Sequence, residues 1–403
     1  MSSTGGRSGR TVRRLTPDDF EQTMTLGLEA FGDLPVGMTP PTRDRIFAEG
    51  RDHWGAFDGD RLLARIVGLQ RRSWWGGREV PTCGIAGVTV AAEHRGEGLL
   101  ADLFGALLSE ATTRGDVLST LYPTAPGIYR GTGYELISSY DLVELHTADL
   151  ASVRAPVDVT TRRATIDDMP AVRDVYDTWA AAQNGPLTRR GLTFGATDRE
   201  LLDGVTAVTL ALDIHGGVVG FASWNRGAGY DDTAVIEVEE LIALTADGHR
   251  ALWRLFGSFA SVAPRVRVYT SGDDPARLVL PANRWTPVER HPYMLRVLDV
   301  AAALALIPGG PAAEVTVDIV GDRIAHTDGG YRVRRGADGT ITERVAAGSD
   351  RPTLTPNGLA LLWTGAQTAA NLRFAGLLSG PTDHDTVLDG LALHRPRHVR
   401  DYF

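Results

Sequence analysis

The sequence predicts a mixed α/β protein in which one α/β unit occurs twice and a smaller α+β unit follows. The first observation behind this is length: 403 residues exceed one ordinary core and suit two or three domains. The second is that strand-like and helix-like periodicities alternate through the first part of the chain. The third is a repeat. Arg13-Arg14-Leu15-Thr16-Pro17-Asp18-Asp19-Phe20 returns about 150 residues later as Arg162-Arg163-Ala164-Thr165-Ile166-Asp167-Asp168-Met169. The expected domains are 1–150, 151–297 and 298–403.

Residues 1–10, rich in Gly, Ser and Arg, are expected to be disordered. Val12 opens a short strand, and Pro17-Asp18-Asp19 starts a helix ahead of Phe20, Met24 and Leu28. Strands follow at Trp54–Phe57 and Leu62–Leu69, joined by the turn Asp58-Gly59-Asp60. Trp74-Trp75-Gly76-Gly77 marks a second hairpin, and its tryptophans either pack the hairpin or line a cleft. Val88-Thr89-Val90 is a β-branched strand, and Arg95-Gly96-Glu97-Gly98 is a turn whose glycines allow positive φ. Leu99, Leu100, Leu103, Phe104, Leu107, Leu108 and Ala111 share one face of the helix that Gly115 ends. A strand and a loop bearing Tyr129 come next.

In the second copy, a helix through Val172, Val175, Tyr176 and Trp179 precedes strands at Val205–Leu212, Val218–Trp224 and Ile236–Leu244. A helix over Ala251–Ala260 follows, but the turn before it, Thr245-Ala246-Asp247-Gly248-His249-Arg250, has one glycine and an aspartate where an anion would sit. The copy is therefore expected to keep the fold and lose the ligand. After a helix at Leu298–Ile307, strands at Ala313–Val320 and Gly330–Arg335 and helices at Thr355–Leu362 and Ala366–Phe374 make the third unit.

Composition removes whole classes of function. Hydrophobic residues make up 43% and charged residues 23%, as in globular proteins, and the net charge of −9 disfavours nucleic acid. The basic residues are all arginine, which excludes a P-loop, a Schiff-base lysine and a lysine general base. Cys83 is the single cysteine, so neither an intrachain disulfide nor a cysteine zinc site is available, and no metal is expected. It reads as a small buried hydrophobe rather than an acyl carrier. His394 and His398, in Arg-Pro-Arg surroundings, read as surface residues. Asp383-His384-Asp385 has no G-x-S-x-G partner for a triad. The start has no apolar leader region and no apolar run spans a bilayer, so a cytoplasmic protein with no membrane partner is expected.

A strand, glycines and a helix N-terminus bind phosphate through backbone N–H groups. VTVAAEHRGEGLL followed by PGIYRGTGYEL resembles the acetyl-CoA-binding core of the GNAT acetyltransferases. Arg95 and Gly98 match that family's turn, while Leu100 stands where its last small residue would be. With the duplicated unit and the third domain, the layout resembles the Eis N-acetyltransferases, which join two GNAT-like domains to a sterol-carrier-like domain.

That resemblance implies a site. Val88, Thr89 and Val90 would pair with the pantetheine arm. Arg95, Gly96, Glu97, Gly98, Leu99, Leu100 and Ala101 would cradle the pyrophosphate, and Thr124 and Ala125 would touch the coenzyme again. Tyr129 matches the general acid, which would protonate the departing thiolate; its other reading is a core tyrosine. Phe403 matches the terminal residue whose carboxylate acts as base; chain ends otherwise fray. Glu29 and Phe31 fall where the family binds the amine. The implied activity is direct acetyl transfer from acetyl-CoA to primary amines of cationic small molecules such as aminoglycosides or polyamines, in a homohexamer. A non-catalytic acyl-CoA or lipid-binding protein is the alternative.

Overall fold

The computed structural model describes residues 9–33, 39–271, 274–280, 285–324 and 326–403. Most of the Gly/Ser/Arg-rich start and part of the loop after Phe31 lie outside them. The first unit runs β1 (Arg10–Arg14), α1 (Phe20–Phe31), α2 (Arg43–Ile46), β2 (Arg51–Asp58), β3 (Arg61–Trp75), β4 (Arg78–Val90), α3 (Leu99–Arg114), β5 (Leu118–Leu121), α4 (Pro126–Arg130), β6 (Glu135–His146) and α5 (Thr147–Leu150). The second runs β7 (Thr160–Arg163), α6 (Met169–Ala181), α7 (Asp198–Asp203), β8 (Ala207–Leu212), β9 (Val218–Arg226), β10 (Val235–Ala243), α8 (Ala246–Gly257), β11 (Arg265–Thr270), α9 (Ala276–Val279) and β12 (Thr286–Val297). The third holds α10 (Val300–Leu304), β13 (Ala313–Ile319), β14 (Gly329–Gly336), β15 (Gly339–Val345), β16 (Thr353–Leu354), α11 (Pro356–Trp363), α12 (Ala369–Phe374), β17 (Leu378–Ser379) and α13 (Asp385–Gly390).

The repeated sequence pattern has a physical basis. Arg13 at the end of β1 grips Asp19 with two bonds of 2.8 Å, while the Asp19 carboxylate also accepts the Thr16 N–H at 2.8 Å. Arg162, Asp168 and Thr165 repeat the arrangement at 2.8, 2.7 and 2.8 Å. Each copy thus locks strand to helix with one charged clasp, and each threonine–aspartate pair closes a capping box.

The α/β units share one twelve-stranded sheet, ordered β1-β2-β3-β4-β5-β12-β6-β11-β10-β9-β8-β7. The sequence expectation did not foresee β6, β11 or β12. Strand β12 leaves the second unit and enters between β5 and β6 of the first, pairing Leu295 with Thr120 on one side and with Glu135 on the other. Likewise β6 stands between β11 and β12. Each unit therefore has a strand slot filled by the other, and neither sheet is complete alone.

Three helical expectations change. Tyr129 lies on the short helix α4 rather than in a loop, because Pro126 starts a helical turn that Gly131 closes. Helix α8 begins at Ala246, not Ala251, because Thr245 caps the Gly248 N–H. The stretch Leu298–Ile307 is helical only over Val300–Leu304, starting where Asp299 caps Ala302. The third unit is a five-stranded sheet, β15-β14-β13-β16-β17, with helices against it. Arg296 of β12 and Asp322 of this unit, both buried, form an ion pair at 2.5 Å. Among the described residues no helix is long and apolar enough to cross a membrane.

Candidate active site

Helix α3 lies on the sheet through Leu99, Leu103, Phe104, Leu107, Leu108 and Ala111, all buried, as its periodicity demands. Truncating a fully buried leucine such as Leu107 to alanine would cost about 2–5 kcal/mol. This packing holds the helix N-terminus at the end of β4. Gly96 and Gly98 have φ of +79° and +84°, and a Cβ on either would meet nothing within 4 Å. The turn between them is an open, left-handed backbone that only glycine adopts without strain. Arg95 and Ala101 are exposed, and Leu100 is half-buried, so a leucine fits where a small residue was expected. Glu97 pairs with Arg10 and lies 3.3 Å from His94 Nδ1, so its charge is matched beside the turn.

Strand β4 runs parallel to β5 only from Thr82↔Leu118 to Ile85↔Leu121. Beyond Ile85 it continues to Val90 with β3 as its strand partner. A bulge falls here, because two β4 residues, Gly87 and Val88, stand opposite Ile66 alone, and Gly87 has φ of +54°. The β4–β5 ladder ends at this bulge, leaving an unpaired wedge beyond it. Val88, Thr89 and Val90 line its β4 side, and the buried Thr89 hydroxyl has no hydrogen-bond partner. Thr124 and Ala125 follow β5 on the other side. An open glycine turn, a wedge flanked by backbone and an orphan hydroxyl all fit an extended coenzyme arm ending in a pyrophosphate.

The second copy has the same parallel pair, with Val238↔Val268 the last register of β10 and β11. Its wedge is occupied. Arg400 spans it, donating to Glu239 O at 3.5 Å and Tyr269 O at 3.3 Å. Its turn is also closed, since a Cβ on Gly248 would lie 3.0 Å from Thr245 Oγ1.

Tyr129 is buried, edge-on to Phe104 with centroids 6.1 Å apart. Burial pushes its phenol above the ordinary value, and a hydrogen bond with Thr124 opposes that shift. It therefore stays protonated at neutral pH, as a proton donor must. Cys83 is fully buried and its thiol is pushed up by desolvation, which leaves it unreactive.

The last residues arrive from the third unit across the second. Asn184 N and O pair with Pro396 O and His398 N, and Ser271 Oγ accepts from Val399 N. His398 is consequently buried edge-on to Trp179, not on the surface; the surface reading holds for His394. Asp401 accepts from Arg189 Nε at 2.9 Å, and Tyr402 and Phe403 pack on Tyr122 at 4.6 and 5.4 Å. The Phe403 ring lies on Gly84, at the mouth of the β4–β5 wedge.

Glu29 and Phe31 lie at the end of α1, beside the segment that follows β4. Glu29 is exposed and its carboxylate accepts the Ala92 N–H at 2.7 Å, while Phe31 is 59% exposed. Trp75 is buried against Trp363 at 5.1 Å, and Trp74 packs on the second unit, so both tryptophans serve packing. Sequence reasoning missed Tyr122, Arg71 and Arg189. Arg71 stacks over the Phe403 ring at 4.4 Å. Only the strand-alternation of β3 hinted at it.

The chain is similar in sequence and fold to known proteins. An acetyltransferase (GNAT) domain family matches residues 11–137, and a second acetyltransferase (GNAT) domain family matches 191–297. The crystal structure of a GCN5-related N-acetyltransferase from Kribbella flavida is 30% identical, covers 98% of both chains and superposes with a TM-score of 0.82. The N-acetyltransferase Eis of Mycobacterium tuberculosis is 27% identical over 309 residues, 72% of this chain and 74% of its own length. Eis1 from Mycobacterium abscessus, at 19% identity, shares the fold over 98% of this chain and 100% of its own, with a TM-score of 0.78.

Proposed function

Because the chain belongs to the GCN5-related N-acetyltransferase (GNAT) family, in its Eis-like tandem form, we propose that it moves acetyl from acetyl-CoA to a primary amine of a small molecule. Family membership carries an acyl-CoA co-substrate; acetyl as the acyl group is our reading. The observation that supports it most is the wedge opening after Ile85↔Leu121 beside the positive-φ turn at Gly96 and Gly98.

In this reading the first unit holds the coenzyme and the second does not. Amides of the Arg95–Ala101 turn receive the pyrophosphate, and Val88–Val90 hold the pantetheine arm. Unpaired backbone N–H groups of splayed β4 stabilise the oxyanion that forms when the amine attacks the thioester. Tyr129 donates its proton to the departing thiolate. Phe403, through its terminal carboxylate and water, takes the proton from the amine. A free carboxylate is a weak base, about 3.3–3.7 in pKa, and the docking of the Phe403 ring against Tyr122 and Arg71 gives burial the means to tune it. The third unit acts by delivering this end of the chain. A homohexamer accompanies the reading, and sedimentation velocity tests it.

Polycationic substrates would need an acidic lining. Glu29, the residue assigned to that role from sequence, is exposed and accepts the Ala92 N–H. The test of the activity is thiol release from acetyl-CoA across a panel of amines. Amine-dependent CoA release with an acetylated product is expected. Tight acetyl-CoA binding with no release from any amine would replace the enzyme by a binding protein.

A further inference from the structure

Arg51, Arg65 and Arg71 lie on one face of the sheet. Leu69 and the Phe403 ring both approach Gly84 from that face, and Arg71 and Arg65 are two and four residues from Leu69 on β3. Arg51 is the direct β2 partner of Leu69, and His53 that of Val67. The row thus runs under α1, where Gly27 meets Arg65, to the chain end, where Arg71 stacks on the Phe403 ring.

Among the described residues none of the three guanidiniums has a hydrogen bond or an ion pair, and the buried Nε atoms of Arg65 and Arg71 are orphans. Other enclosed arginines are bonded: buried Arg296 has Asp322, half-buried Arg189 has Glu240 and Asp401, and buried Arg400 donates to two backbone carbonyls. Desolvation lowers Arg65 and Arg71 to about 10, lowers Arg51 as well, and holds His53 neutral at about 4. Asp401, whose charge favours the Arg71 guanidinium, is itself bonded to Arg189. A desolvated charge without a partner is costly, and an anion at the same face removes the cost.

We propose, on the premise that the chain is an N-acetyltransferase, that its amine substrate carries an oxyanion, a carboxylate or a phosphate, seated on Arg51 and Arg71 beside Phe403. The face selects amino acids, short peptides or phosphorylated amines over polycations. Arginine offers the planar fork that receives such groups in bidentate fashion. The anion fixes the substrate while its amine reaches the wedge.

Matched amines test this: lysine against cadaverine, ornithine against putrescine, and O-phosphoethanolamine against ethanolamine. The anionic member of the carboxylate pairs or of the phosphate pair is expected to have a kcat/KM about tenfold or more higher. Which pair shows it identifies the oxyanion. In Arg71→Gln and Arg51→Gln that preference shrinks, mainly through KM, while Tm holds or rises because an unpaired charge has gone. Equal or better turnover of the decarboxylated or dephosphorylated members overturns the proposal. So does a preference that survives both substitutions, or a fall in kcat shared equally by both members, which would make Arg71 a support for Phe403. Those outcomes leave the acetyltransferase reading standing; absence of CoA release from every amine removes both.

Discussion

The Phe403 ring rests directly on Gly84: a methyl group at that position would lie 2.9 Å from Cε2 and 3.2 Å from Cζ of the ring. Gly84 is one register before the last β4–β5 pair, so the contact fixes the chain end at the mouth of the wedge. Gly84→Ala should push the ring away while the strand persists. We expect kcat to fall about tenfold to a hundredfold, as misplacement by an ångström does, with acetyl-CoA affinity retained. Steady-state kinetics and calorimetry check it; unchanged kcat would detach Phe403 from catalysis.

Tyr129→Phe removes one hydroxyl from a buried, edge-packed ring. A fall in kcat of about a hundredfold or more is expected, with little change in KM for acetyl-CoA. Burial raises the phenol, so the wild type should keep its acid through neutral pH and lose rate only above pH 10, the ordinary value. The rate profile of the variant should lack that alkaline limb.

Strand β12 makes a separate prediction. The fragment 1–150 lacks β11 and β12, so β5 loses one neighbour and β6 loses both. Expressed alone it should be insoluble or unfolded, and co-expression with 151–403 should restore a soluble complex. A cooperative unfolding transition from the isolated fragment would show that the shared sheet is dispensable.

The clasp in the first copy sets a pH dependence. The Arg13 guanidinium holds the Asp19 carboxyl down to about 2 from its ordinary 3.8. Because the folded value is depressed, its stabilisation is present above pH 3.8 and disappears as pH falls through about 2. Asp19→Asn should cost about 1.5–3 kcal/mol at pH 7, and the gap from wild type should close over that acid window. Urea midpoints across pH 2 to 7 read this out. The counterpart Asp168, less enclosed, should matter less.

Local chemistry was legible. The β-branched run at Val88, the glycines of the turn and the apolar face of α3 act between near neighbours, so their order in sequence is their order in space. Partners set by the whole fold were not. Nothing near Thr286–Val297 says that this strand pairs with Leu118–Leu121, far back in the chain. The loss of the second turn was readable at Thr245–Arg250, whereas Arg400 bridging the second wedge depends on a tail folded across three units. His398 looked solvated because its burial comes from Asn184, Trp179 and Ser271, all distant in sequence. The arginine row is a property of one sheet face and of the lack, among the described residues, of a carboxylate bonded to it, and composition records neither.

The most direct measurement is CoA release by a chain carrying a short Gly-Ser extension after Phe403. If the site joins the wedge of the first unit to the terminal carboxylate, turnover should collapse while acetyl-CoA still binds and the melting temperature stays within a few degrees. Turnover at the wild-type rate in the extended chain would contradict the account.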